Sequence, residues 1–310
     1  MPPARVVAVV VTHRPDPSLA GALLEALAPQ VAEVVVVDNG TPAATLDALR
    51  PTLDRLGCAL VELGANRGIA AAQNVGVAHA RDRGATHVLL SDQDSLPAPD
   101  MVARLLTGLA RAHEDPPGAG RPPAAVGPVT TDDRNSGAAL LFADRTWGPR
   151  RAEVPDVDGA LVEATFLIAS GCLVTTAALE TVGPMNEAWF IDHVDLEWGL
   201  RARRAGLGLY GVVGARLDHA LGDRTQRVPG RRRAVHIHSP RRNYYLARNT
   251  VLLVRSGLMP VRWRVGYAAW ITKYSAFHVL AVPPRGARLR YLARGLLDGL
   301  RGRTGPLAEG

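Results

Sequence analysis

The chain has 310 residues, 47% hydrophobic and 21% charged, a globular composition long enough for one large domain or two small ones. Its two cysteines, Cys58 and Cys172, supply neither a disulfide framework nor a thiolate metal site, and they fit a reducing cytoplasm. The net charge of +7 is unevenly spread: residues 1–223 hold 18 basic against 27 acidic side chains, and residues 224–310 hold 18 against 2. The C-terminal third therefore predicts an anionic partner.

The N-terminal "RVVAVVVTH" (5–13) reads as a strand buried on both faces, and it lacks the long apolar core and cleavage site of a signal peptide. "PSLAGALLEALAPQ" follows with helical spacing. A second buried strand, "AEVVVVDNG" (32–40), ends in a turn signal. "PAATLDALRPTLDRLG" is helical in pattern, with Pro51 expected to break or kink it. "CALVELG", "NRGIAAAQNVGVAHARDRG" and "ATHVLLSDQD" predict a strand, a helix and a strand. This alternation implies a mostly parallel sheet, whose ligands bind beyond the carboxyl ends of the strands. Those ends carry Thr12-His13, Asp38-Asn39, Asn66-Arg67-Gly68 and Asp92-Gln93-Asp94, all polar behind apolar strands. No GxGxxG follows the first strand, which disfavours a dinucleotide site.

Residues 113–160 are rich in Pro, Gly and charge and read as loops and short strands. "ALVEATFLIASGCLVTTAALETVG" reads as strand then helix. "MNEAWFIDHVDLEWGLRARRAG" joins an acidic aromatic segment to a helix, and "LGLYGVVGARLDHALGD" (207–223) reads as one strand ending at Asp218-His219. The stretch 250–283 is apolar but interrupted by Arg255, Arg262, Arg264 and Lys273, so a membrane-spanning helix is not expected. Trp263, Tyr267, Trp270 and Tyr274 beside these arginines are consistent with an interfacial surface or with ordinary core helices.

The pieces "VVVTHRPD", "VVVVDNGT", "NRGIAAAQNVG", "LLSDQDSLP", "SGCLVTTAALETVG", "FIDHVDLEWGLRARRAG" and "RRNYYLARN" stand in the order found in family 2 glycosyltransferases, covering residues 5 to about 255. The chain resembles that family, and "DQDS" and "FIDHVDLEW" resemble its bacterial rhamnosyltransferase-like group. The resemblance implies a GT-A fold, a Rossmann-like mostly parallel sheet flanked by helices. It also implies a hexosyltransferase reaction of single displacement with inversion, dependent on Mn2+ or Mg2+. The expected donor is dTDP-rhamnose, with UDP-galactofuranose or another UDP-hexose as alternatives, and the acceptor a lipid-linked or polysaccharide hydroxyl in cell-surface glycan synthesis. A catalytically inactive sugar-nucleotide-binding protein is the alternative from another class. The expected organisation is a catalytic domain over 1–223 and a basic helical extension over 224–310. That extension is expected to lie against the anionic inner face of the plasma membrane and not on nucleic acid.

A departing nucleoside diphosphate needs its charge neutralised, which a hard cation held by one or two carboxylates plus phosphates achieves. Asp94 is the expected direct ligand, Asp92 contacts the donor ribose or a metal-bound water, and His219 resembles the family's late histidine that completes the site. Thr12, His13, Asp38, Asn66, Arg67 and Gly68 are expected to hold the donor, with Arg241 and Arg242 clamping phosphate and Arg248 beside them. Where the family commonly places a Glu-Asp-x-Asp motif, this chain reads Asp192-His193-Val194-Asp195. Asp192 is the favoured general base, with Asp195 expected to cap the following helix and His193 a third candidate. Trp189 is expected either against the acceptor sugar or in the core.

Overall fold

The computed structural model describes residues 4–129, 131 and 132, 138–219, 224–226 and 235–307. The first half alternates as the pattern requires: β1 (Val6–Thr12), α1 (Pro17–Leu27), β2 (Glu33–Asp38), α2 (Ala43–Leu56), β3 (Ala59–Glu62), α3 (Ile69–Asp82) and β4 (His87–Asp92). A short β5 (Ser95–Pro97) leads into α4 (Met101–Glu114) and β6 (Pro123–Pro128). Two-residue strands β7 (Thr131–Asp132) and β8 (Ala138–Ala139) pair with each other, as do β9 (Phe142–Ala143) and β10 (Arg150–Arg151). Then come β11 (Leu161–Glu163), β12 (Cys172–Thr175), α5 (Thr176–Val182), α6 (Val194–Arg204), β13 (Gly208–Val212) and β14 (Leu217–His219). The small hairpin of β15 (Arg224–Gln226) and β16 (Val235–Ile237) precedes three helices, α7 (Pro240–Arg255), α8 (Val261–Ala281) and α9 (Arg285–Leu300).

Eight strands form one sheet in the order β11-β13-β6-β12-β4-β1-β2-β3. Pairing is parallel across β4-β1-β2-β3 and between β6 and β13; β11 and β12 run against the rest. All seven residues of β1 are buried, and they divide by parity. Val7, Val9 and Val11 join a core beneath α3, α5 and α6, whereas Val6, Ala8 and Val10 join one beneath α1, α2 and α4. Strict two-residue alternation in a sheet covered on both faces is why the strand reads as an unbroken apolar run.

Two sequence expectations, on Pro51 and on residues 207–223, need correction. The helix α2 is not broken at Pro51, which lies on its exposed side while Leu46, Leu49 and Leu53 anchor the buried stripe around it. Within 113–160, read as loops and short strands, β6 is a fully buried interior strand framed by prolines. Residues 207–223 do not form one strand: a turn at 213–216 divides β13 in the main sheet from β14, which pairs antiparallel with β5.

The three C-terminal helices pack on the same body, and the expected domain boundary at 223 falls outside the described residues. Trp263 is 6% exposed within the core and donates its indole N–H to the Arg145 carbonyl at 2.8 Å. Of the aromatic stripe of α8 Trp263 turns inward while Trp270 stays exposed, and the exposed aliphatic residues here are Val261, Val265, Leu280, Leu289, Leu297 and Leu300. Among the described residues no helix is long and apolar enough to cross a membrane.

Helix α3 lies close on β1 because Gly76 has no side chain: a Cβ there would stand 2.2 Å from Val9 Cγ1. Gly76→Ala gains about 1 kcal/mol of helix propensity but overpacks a stiff β-branched neighbour at a cost of about 1–3 kcal/mol or more. Net destabilisation is expected in urea unfolding; a variant as stable as the parent would refute this packing argument.

Candidate active site

The polar ends of β1, β2, β4 and the loop before α3 meet, as expected, in one hydrogen-bonded rim. Asp38 is 2% exposed and both its carboxylate oxygens are used. Oδ1 accepts from Thr12 Oγ1 at 3.2 Å, and Oδ2 accepts from the Gly40 and Thr41 amides at 3.2 and 3.0 Å. Asn39 carries the rim onward: its Oδ1 accepts from the Arg67 amide at 2.8 Å, and its Nδ2 donates to Asn66 Oδ1 at 3.2 Å. The Gln93 side-chain oxygen accepts from the His13 amide at 2.7 Å, joining β4 to β1.

Opposite this rim stands the turn Glu187–His193. Phe190, Asp192 and His193 all have left-handed φ, at 66°, 66° and 61°, which side chains with a Cβ rarely adopt. Three consecutive residues of α7, all buried, hold it. Arg248 Nη2 donates to the Trp189 carbonyl at 2.9 Å. Asn249 Nδ2 lies 3.0, 2.7 and 3.0 Å from the carbonyls of Trp189, Ile191 and Asp192. Thr250 Oγ1 donates to the Leu246 carbonyl at 2.7 Å and so accepts from His193 Nε2 at 2.9 Å. The turn also touches the donor-side loop. The Ile69 amide donates to the Phe190 carbonyl at 2.8 Å, and Gly68 has φ +90° with room for no Cβ, which would lie 2.6 Å from that oxygen.

Between rim and turn lies a cavity of about 630 Å³. His13, Asn66, Gly68, Asp92, Asp94 and Arg242 line it, together with Gln93, Phe142, Arg151 and His238. A second hollow of about 490 Å³ continues from it past Arg241, Arg242 and Ser239 at the start of α7. Among the described residues no three His, Cys, Asp or Glu side chains are placed to hold a metal by themselves. Two carboxylates facing one cavity do fit a divalent cation that completes its shell with phosphate oxygens and water. The pairing of β14 with β5 sets the His219 backbone opposite Ser95, one residue beyond Asp94, while the His219 side chain lies outside the described residues.

The motif Asp192-His193-Val194-Asp195 separates into three environments. Asp192 is paired with Arg242, whose Nε lies 3.1 Å from Oδ1, and its side chain is 8% exposed. His193, and not Asp195, occupies the position capping α6, and burial lowers its pKa to about 4, leaving it neutral and a weak base near pH 7. Asp195 lies in the first turn and borders apolar Leu90, Cys172 and Trp198. Burial, then the charge of Asp92, raise its pKa to about 7, and one oxygen accepts from the Ala169 amide at 3.2 Å. Neither Asp192 nor Asp195 lines the cavity itself, and Asp195 borders a nearly closed apolar gap behind it.

Of the expected donor residues, His13, Asn66, Gly68, Asp92 and Arg242 line the main cavity and Arg241 the adjoining hollow. Thr12 and Asp38 lie behind it as supports. The Arg67 side chain is exposed, and only its backbone joins the rim. Trp189 is 5% exposed inside the core, which excludes it from stacking on a sugar in this conformation. Arg248 is 0% exposed and lies over the Tyr244 and Tyr245 rings, so it braces the fold instead of clamping phosphate. Phe142, Arg151 and His238 had no sequence signal, because they lie in segments without a motif.

The family model described as "Glycosyl transferase family 2" matches residues 7–134. The dTDP-rhamnosyl transferase RfbF of Shigella flexneri is 31% identical over 307 residues, 97% of either chain. Among solved structures, GalNAc-T7 with UDP, GalNAc and Mn2+ aligns over 96% of this chain and 56% of its own, with TM-score 0.62 and 12% identity. TarS of S. aureus aligns over 96% and 49%, with TM-score 0.54 and 14% identity. The mannosyltransferase PcManGT from Pyrobaculum calidifontis, in complex with GDP-Man and Mn2+, aligns over 98% and 76%, with TM-score 0.52 and 20% identity. The chain spans about half the length of the first two of these structures. The shared architecture is the GT-A fold.

The bracing of the turn by Asn249 is testable. In Asn249→Leu the volume is kept but the Ile191 and Asp192 carbonyls lose their donor, while the Trp189 carbonyl keeps Arg248, and each unmet buried carbonyl costs about 1–3 kcal/mol. Urea unfolding is expected to show a loss of about 2 kcal/mol or more; an unchanged midpoint would remove Asn249 from this role.

Proposed function

The chain belongs to glycosyl transferase family 2, and from that premise we propose that it moves L-rhamnose from dTDP-rhamnose, with inversion, onto a hydroxyl of a lipid-linked or polysaccharide acceptor. The observation that carries this is the cavity at the strand ends, where Asp92 and Asp94 face Arg242 and the rim of β1 and β2. The rhamnosyl donor is favoured by likeness to the Shigella flexneri protein along almost its whole length.

The rim beyond β1 and β2, with Asp38 as its buried support, receives the nucleoside. Arg241 and Arg242, at the N-terminal end of α7 where backbone amides also point outward, receive the pyrophosphate. Asp94 and Asp92 would hold a divalent cation, Mn2+ or Mg2+, which supplies charge neutralisation for the leaving nucleoside diphosphate. The acceptor oxygen attacks the anomeric carbon opposite the phosphate, the bond from that carbon to the phosphate oxygen breaks, and the leaving group keeps the electron pair. Asp195 takes the acceptor's proton. Asp192, held by Arg242, fixes the turn that places α6 and its first-turn acid.

A screen of dTDP-rhamnose, UDP-galactofuranose and UDP-hexoses with Mn2+ or Mg2+ tests the donor. Turnover of dTDP-rhamnose, lost in Asp94→Ala, is expected; preference for a UDP-sugar would overturn the assignment. Asp195→Asn should cut transfer about 10²–10⁴-fold, more than Asp192→Asn. Because the base must be ionised, kcat/KM should fall as pH drops through the pKa of Asp195, which burial raises; a cation on Asp92 and Asp94 removes the repulsion from Asp92 and moves that fall below pH 7. A pH-independent rate down to pH 5 would remove Asp195 from that role.

The exposed Val261, Val265, Leu280, Leu289, Leu297 and Leu300 stand among exposed Arg262, Arg264, Lys273, Arg285, Arg290 and Arg301. Apolar residues ringed by arginines suit the headgroup boundary of an anionic membrane. Flotation with anionic liposomes should recover the protein at low salt and lose it in Leu297→Glu with Leu300→Glu. Equal recovery of parent and variant would refute this surface.

A further inference from the structure

A second cleft, of about 560 Å³, shares the Phe142 and Arg151 wall with the donor cavity and takes His193 from the turn, while its other lining residues have no part in the reaction proposed above. Its walls are aromatic. Phe142 and Phe166 stack at 5.1 Å, and α8 presents Tyr267 and Trp270 at 6.1 Å from each other. Trp147 stands across from α8 on a loop seated so close that a Cβ on Gly266 would lie 2.0 Å from the Trp147 carbonyl. Two tryptophans stay accessible here, Trp147 at 54% and Trp270 at 37%, although both belong to a built cleft and not to a flat surface. The His193 ring lies edge-on to Tyr267 and Trp270 at 6.1 and 6.2 Å, tying the cleft to the turn that carries Asp192 and Asp195.

Resting on the transferase reading, we propose that this cleft binds the acceptor as a saccharide, with a sugar ring laid on Trp270 and Trp147. A pyranose has an apolar C–H face that packs on an indole and a rim of hydroxyls that needs polar partners, and Arg150 and Arg151 border the cleft for that purpose. The shared Phe142–Arg151 wall makes the cleft continuous with the donor cavity, as a sugar that must present one hydroxyl to the donor requires. Trp270 and Trp147 therefore set acceptor selectivity, a role that Trp189, sealed in the core, does not fill.

Tryptophan fluorescence titrated with methyl glycosides of rhamnose, glucose, galactose and N-acetylglucosamine tests this, with dTDP binding measured in parallel by calorimetry. At least one glycoside is expected to shift the emission saturably. Affinity should drop tenfold or more in both Trp270→Ala and Trp147→Ala and recover partly in Trp270→Phe, while dTDP affinity stays within twofold. Glycoside binding unaltered in both alanine variants, or absent from a parent that binds dTDP, overturns the cleft and leaves the donor reading standing. Loss of dTDP binding in the parent overturns the donor reading itself. Farnesyl phosphate binding in place of every glycoside would make the cleft a lipid site and overturn the saccharide assignment.

Discussion

The candidate site depends on a short left-handed turn that needs partners outside itself to hold its shape. Phe190, Asp192 and His193 each adopt a backbone conformation costing of order 1–3 kcal/mol for a residue with a Cβ. The offset comes from Arg248, Asn249 and Thr250, three successive residues of α7 that deliver a guanidinium, an amide and a hydroxyl to four positions of the turn. A helix presents consecutive residues about 100° apart, so such a row can only work if the turn wraps around the helix. That wrapping brings Phe190 against Gly68 on one side and sets α6, with Asp195, on the other.

The two faces of the cavity are therefore built by opposite strategies. The rim face is made at strand ends, where the parallel sheet sets Thr12 beside Asp38 and Val11 beside Asp92, and short hydrogen bonds extend that order into the loops. The opposite face is made by irregular backbone bonded to helix side chains. The first tolerates sequence change in its loops as long as the sheet stands. The second fails if one buried amide is lost, because the low dielectric that strengthens its bonds also penalises any left unmet.

Much of the first face was legible in the sequence. Unbroken apolar runs such as residues 6–11 announce strands covered on both sides, and the polar residues that end them announce the rim. Less of the second could be read. A Trp next to an acidic motif carries the same letters whether it meets a sugar or the core, and Trp189 is decided by partners sixty residues away in α7. Arg248 likewise looks like a phosphate ligand until its burial over two tyrosines is seen. The prolines framing β6 obscure its place in the sheet, because propensity counts them against an interior strand. The choice between Asp192 and Asp195 needed their surroundings, since chemistry within one motif is set by what each carboxylate faces.

The reach of α7 into the turn also bears on how such a chain can be recombined with its relatives. The family model ends at residue 134, and charge divides the chain near 223, so both invite a cut that treats the basic helices as an exchangeable module. The hydrogen bonds of Arg248, Asn249 and Thr250 cross that seam. A hybrid joined there would take its acids from one parent and the scaffold that aims them from the other. For this architecture the unit of inheritance is the turn with its helix, two segments distant in the chain that have to be exchanged as a pair.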